Sequence, residues 1–144
     1  MPAYTSRQLA NNPLAGVGPA PGNMIGFVFE IAVTSALTAS DTFTFGRVPR
    51  GFRVLGATLE ATDMEAGTGV TISVGDSGSG TRLFNAATVA QAGTAASAAT
   101  TVSALHHQYT EDTVITGASG GTVTTGATGT IILSIWGIYQ GLPS

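Results

Sequence analysis

Residues 26–34 read GFVFEIAVT. Successive side chains of an extended chain point to opposite faces, so Phe27, Phe29, Ile31 and Val33 share one face and Val28, Glu30, Ala32 and Thr34 the other. This is the alternation of a half-buried strand, and it recurs along the chain. Asp41 to Phe45 sets Phe43 and Phe45 inward against Thr42 and Thr44. After a turn at Pro49, Arg50 and Gly51, the stretch FRVLGATLEAT (52–62) lines up Leu55, Ala57, Leu59 and Ala61 on one face. A turn over Glu65 to Gly69 leads to Val70, Ile72 and Val74, which alternate with Thr71 and Ser73 and end at the turn Gly75, Asp76, Ser77, Gly78. Strand signals return at Thr113–Thr116, at Thr122–Thr125 and at TIILSIWGIY (130–139). None of these segments carries a 3.6-residue period, helix caps or a leucine stripe. About eight strands at this turn spacing predict an all-β fold, a single-domain β-sandwich or jelly-roll-like barrel.

The segment from Thr81 to Leu105 has no clear period and is expected to be mostly loop, with a short helix near Ala86–Ala92 as its one regular piece. Long irregular stretches in a compact domain are usually functional or disordered, and an apolar, uncharged one favours contact with a neighbour. In the last strand, Ile131, Leu133, Ile135 and Tyr139 share one face and Ile132, Trp136 and Ile138 the other. Both faces are apolar. The strand reads either as central and buried on both sides or as one whose Trp136 marks a subunit interface, where Trp is enriched.

Composition narrows the function. Ala, Gly, Thr and Ser supply 74 of the 144 residues, charged residues 9%, and there is no lysine. Disordered chains are apolar-poor and charge-rich, whereas this one is 43% hydrophobic; it is expected to fold. A chain of this length forms one domain and buries roughly 70% of its unfolded surface. From Leu83 to Ser144 the only formal charges are Glu111 and Asp112. Surface charge keeps small domains soluble and solitary, so this half-chain reads as facing other protein.

A net charge of −3 with five arginines gives no basic field for a phosphate backbone, which excludes nucleic acid as an expected partner. The absence of cysteine excludes disulfides and thiolate chemistry. No stretch approaches the ~20 apolar residues of a membrane helix, and the N-terminus lacks the pattern of a secretion signal. The expectation is a soluble protein, intracellular where it is made, with no membrane partner.

Residues 1–23 contain Pro2, Pro13, Pro19 and Pro21 with Gly16, Gly18 and Gly22 among them, which stops helix and ladder alike. They read as an extended N-terminal arm ahead of a β-sandwich domain at 24–144. The arm either gains order on another surface through Tyr4, Leu9 and Leu14 or is an untethered leader.

Catalytic readings are weak. Gly75, Asp76, Ser77 and Gly78 reproduce the GDSG around a protease nucleophile, but His106 and His107 follow the serine instead of preceding it, and an ordinary turn explains the tetrapeptide. Adjacent histidines on an extended chain point apart and cannot share a metal from one strand. Asp63 and Glu65 lack the carboxylate spacing of a calcium loop and read as a polar turn. No catalytic residue, metal or cofactor is expected. Arg47, Arg50 and Arg53 surround one turn, either as interface forks that tolerate desolvation or as a solvated cluster pairing with Glu60 or Asp63.

The segments RVPRGFRVLGATLEAT (47–62), TGVTISVGDSGSGTRLFNAATVAQAG (68–93), YTEDTVIT (109–116) and GTIILSIWGIYQG (129–141), in that order, resemble the head structural proteins of tailed bacteriophages, in particular capsid cement or decoration proteins. The resemblance implies a β-sandwich or jelly roll that binds the outside of the major capsid protein lattice as a homotrimer or dimer. It implies a location on the capsid surface of the virion and a bridging, non-enzymatic role. Tyr4, Arg7, Leu9, Leu14, Arg47, Arg50, Arg53, Trp136 and Tyr139 are the expected capsid or subunit contacts. The alternative is an oligomeric receptor- or carbohydrate-binding module of a tail or fibre, which the assignment of most aromatics to the core disfavours.

Overall fold

In the computed structural model, which describes residues 3–5, 24–93, 95–97 and 106–139, the alternating segments become strands of two sheets. The described strands are β1 (Ala3–Thr5), β2 (Met24–Val33), β3 (Thr42–Val48), β4 (Phe52–Ala61), β5 (Val70–Gly75), β6 (Phe84–Ala87), β7 (Ala95–Ser97), β8 (Thr113–Gly121) and β9 (Gly129–Tyr139). The first sheet runs β1-β3-β8-β5-β6 and the second β2-β9-β4-β7. The chain is an all-β sandwich. Most of the arm proposed for residues 1–23, including Arg7, Leu9 and Leu14, lies outside the described residues.

The second sheet is organised around β9, which pairs antiparallel with β2 on one edge and β4 on the other. Its register places Ile31, Ile131 and Ala61 in one cross-strand row, and Phe29, Leu133 and Leu59 in the next. Ile31, Leu59, Ile131 and Leu133 are fully buried. They close on Phe43, Phe45, Val70, Ile72 and Ile115 of the first sheet to form one continuous core. Phe43 and Phe45 lie inward, as the alternation predicts.

Three expectations need correction. The inward face of β4 begins with Phe52 and Val54, not Leu55, because the register against β9 shifts between Val54 and Gly56. Leu55 is the extra residue of this bulge and is half-buried. Thr122–Thr125 is a loop; the strand instead runs on from Thr113 through Gly121, hydrogen-bonded to β3 on one edge and β5 on the other. Its second half, GASGG, has no large apolar side chain for a hydrophobic pattern to detect. In the middle segment the expected helix shrinks to one 3₁₀ turn at Val89–Gln91, flanked by the short strands β6 and β7.

Two buried carboxylates tie loops to this frame. Asp41 accepts from the Thr38 N–H (3.2 Å) and hydroxyl (2.5 Å), while its own N–H donates to Ser119 Oγ on β8 (2.8 Å). Glu65, expected as an ordinary turn residue, is buried and accepts from the N–H groups of Gly69 (3.0 Å), Val70 (2.7 Å) and Thr124 (3.1 Å). Burial alone would raise the pKa of Glu65, but these three donors outweigh it and hold the carboxyl below its ordinary value of 4.5.

Two outcomes follow for stability. Leu133→Ala is expected to cost about 2–5 kcal/mol in denaturant unfolding, whereas Val28→Ala on the opposite face of the sheet stays within about 0.5 kcal/mol. Because the folded form of Glu65 binds protons less readily than the unfolded, its contribution is fully present above pH 4.5 and is lost as the pH falls through the lowered native value. Glu65→Gln therefore lowers the thermal midpoint at pH 7, and the gap to the parent protein closes in acid.

Candidate functional site

The face of the β2-β9-β4 sheet that points away from the core is apolar at its centre. Met24 (62% exposed), Val28 (57%) and Trp136 (39%) are the exposed large hydrophobics among the described residues, and all three lie on this face. The register arranges it in rows: Met24, Ile138 and Arg53; then Gly26, Trp136 and Gly56; then Val28, Ser134 and Thr58; then Glu30, Ile132 and Glu60. Charge is confined to the first and last rows. Ile132 and Ile138 are half-buried beside the exposed three. The last strand is thus central, but it buries one face and leaves Trp136 on the other.

Gly26 and Gly56 give Trp136 neighbours without side chains, and the indole lies over Gly56. A Cβ at Gly56 would meet the indole atoms Cζ2, Cε2 and Nε1. The bulge at Leu55 sits directly beside this glycine, so the irregularity of β4 and the seat of the indole are one feature.

The three arginines around the Pro49–Gly51 turn sit on different elements. Arg47 is exposed on β3 of the first sheet and Arg50 is exposed on the turn, where its N–H donates to the Asp112 carboxylate (2.9 Å). Arg53 is half-buried at one corner of the apolar face, and its Nε–H is buried with no hydrogen-bond partner among the described residues. Tyr139 is half-buried at the end of β9, opposite Phe52. Tyr4 is buried: its ring stacks on Phe43 at 5.8 Å, and its hydroxyl lies 2.8 Å from Ser35 Oγ.

The GDSG turn is a structural tie. Asp76 is buried and accepts from the N–H groups of Gly78 and Ser79 (2.9 Å each), from Arg82 Nε (2.7 Å) and from the Tyr109 hydroxyl (3.0 Å). Burial would raise its pKa, but Arg82, the Ser79 N–H and Tyr109 hold it below the ordinary value. Burial and the Asp76 charge push the Tyr109 phenol well above its usual range. His107 packs edge-on against Tyr109 at 4.7 Å, and burial together with Arg82 lowers its pKa. These groups wall an open pocket of about 310 Å³, but the Asp76 carboxylate is directed at Arg82 and Tyr109, and Ser77 points to solvent. Among the described residues there is no cluster of three or more potential metal-ligating side chains.

Residues 106–109 hold a second position that the sequence pattern did not reveal. The His106 N–H donates to the Val54 carbonyl (2.7 Å), the Val54 N–H to the His107 carbonyl (3.0 Å) and the Tyr109 N–H to the Phe52 carbonyl (2.9 Å). This segment runs along the edge of β4 opposite β9, continuing the line begun by β7. It closes that side of the apolar face.

No family model matches the chain, and no curated protein sequence does. Solved structures do. A chain in the capsid asymmetric unit of cyanophage Pam1 is 35% identical, with 93% of this chain and 96% of that one covered at a TM-score of 0.74. A chain in the capsid of Ralstonia phage GP4 is 28% identical over 98% of this chain and 99% of that one, with a TM-score of 0.81. A chain in the acid-stable capsid of Helicobacter pylori bacteriophage KHP30 shares the fold at 12% identity and a TM-score of 0.54.

The chain has one tryptophan, so its fluorescence reports the centre of the apolar face directly. Gly56→Ala is expected to displace the indole into water, shift its emission to the red and cost about 1 kcal/mol of stability. An unchanged spectrum would show that the indole does not rest on Gly56.

Proposed function

The chain belongs to the family of bacteriophage capsid proteins that includes its cyanophage Pam1 relative, and we propose that it is a cement or decoration protein, which binds the outer surface of the head and bridges neighbouring major capsid subunits. Its role in the virion is structural. The observation that carries the finer reading is the convergence of Met24, Val28 and Trp136 on one sheet face. Monomeric soluble domains seldom leave a contiguous apolar patch uncovered unless it binds something.

The chemistry of this face suits docking on protein. Its rigid strands lose little conformational freedom on binding. Trp136 supplies the aromatic anchor typical of interface centres, and the half-buried Arg53 sets a positive charge at one corner of the face. The near absence of charge beyond Leu83 reduces the desolvation cost of contact. As a small homo-oligomer, trimeric or dimeric, the protein presents several such faces at once. Repetition over a lattice then converts modest individual contacts into strong retention across joints between shell subunits.

The test is binding to heads of the parent phage that lack this protein. The full chain is expected to co-sediment with them and to behave in solution as a discrete trimer or dimer by light scattering. Trp136→Asp, which keeps the buried face of β9 intact, is expected to weaken head binding at least tenfold without unfolding the protein. Equal binding by the variant would remove this face from the interface, and binding to host glycans in place of heads would overturn the capsid role.

A further inference from the structure

β1 differs from the other described strands. Its pairing with β3 is parallel, whereas the remaining strand pairs are antiparallel. No hairpin dictates where it lies. Three register partners place it, Ala3 with Thr42, Tyr4 with Phe43 and Thr5 with Thr44, together with the Tyr4 side chain, seated between Phe43 and Ser35. Phe43 and Ser35 belong to β3 and to the segment after β2, so they form a socket that the rest of the sandwich builds without help from β1.

From these features we infer that the Tyr4 socket is an exchange site between copies of this chain, in which β1 of one copy occupies the β3 edge of its neighbour. Eighteen residues separate Thr5 from Met24, a length of chain that can span at most about 60 Å. The contacts made in a neighbour's socket are the same as those made at home, so exchange costs no hydrogen bond and no buried ring. The balance between the two is then set by concentration. Crowding many copies together favours the exchanged arrangement. An empty socket exposes the face of Phe43 and the backbone edge of Thr42 to Thr44, so each strand that leaves must be replaced. Each chain contributes one plug and one socket, and exchange therefore links copies without leaving either unused. The inference leans on the capsid reading only for the crowding that favours it.

The absence of cysteine makes the test direct. Ala3 and Thr42 are both exposed register partners. Ala3→Cys and a size-tagged Thr42→Cys, each in the full chain, are mixed at millimolar concentration and oxidised. A disulfide-linked heterodimer is the expected product, reduced at least tenfold when the Ala3→Cys chain also carries Tyr4→Ala. Glu60→Cys, exposed on the other sheet, replaces Thr42→Cys as the collision control. The inference is overturned if the Glu60→Cys chain crosslinks equally well, if the mixed single variants give no heterodimer while the double variant Ala3→Cys/Thr42→Cys closes within one chain, or if no bridge forms in either case. Each of these failures leaves head binding by the Trp136 face untouched, because that is measured separately.

Discussion

Strand β9 is hydrogen-bonded on both edges along its length, to β2 and to β4, and the rest of the molecule depends on that register. Side chains alternate with a period of two, so a slip of one residue would move Ile131, Leu133 and Ile135 out of the core and drive Trp136 into it. The core therefore specifies the register, and the register specifies the outer face. What the sandwich buries and what it leaves exposed are two consequences of one pairing. The bulge at Leu55 refines it: by taking up one residue, it keeps Phe52 and Val54 inward on one side and brings Gly56 beneath the indole on the other.

Much of this frame was legible in the sequence because large side chains alternate where strands are half-buried. Phe29, Ile31 and Val33, Phe43 and Phe45, and Val70, Ile72 and Val74 all face the core as their spacing requires. The failures share a cause. The second half of β8 is held by backbone rungs from both neighbours and carries only Gly, Ala and Ser, so its strand character has no hydrophobic signature. β6 and β7 are short edge pieces whose pairing depends on where β5 and β4 lie. The phase of β4 was misread because a bulge is a property of two strands, and a single sequence displays one at a time.

The polar residues were harder still. Glu65 and Asp76 look like turn residues, and both do lie in turns, but each is buried as the acceptor for N–H groups from its own loop. Glu65 also receives Thr124, and Asp76 receives Arg82 and Tyr109. A carboxylate with several fixed donors stabilises irregular backbone that has no ladder of its own. Partners as distant in sequence as Thr124 and Tyr109 leave no local trace. For the candidate interface the sequence narrowed Trp136 to two roles, buried centre or contact residue. The orientation of β9 between its neighbours decides which face the indole takes, and Gly56 is the small residue that leaves room for it.

A family of capsid proteins, a charge-poor second half and an apolar face framed by Arg53 at one end and Glu30 and Glu60 at the other describe a protein built to lie against other protein. The most direct measurement of that claim is hydroxyl-radical footprinting of the free protein and of the same protein in virions. Met24 and Trp136 are reactive and exposed on the face, while Met64 is fully buried and serves as an internal reference. The account predicts rapid oxidation of Met24 and Trp136 in the free protein, strong protection of both in the virion and little change at Met64. Equal oxidation of Met24 and Trp136 in the two states would contradict it.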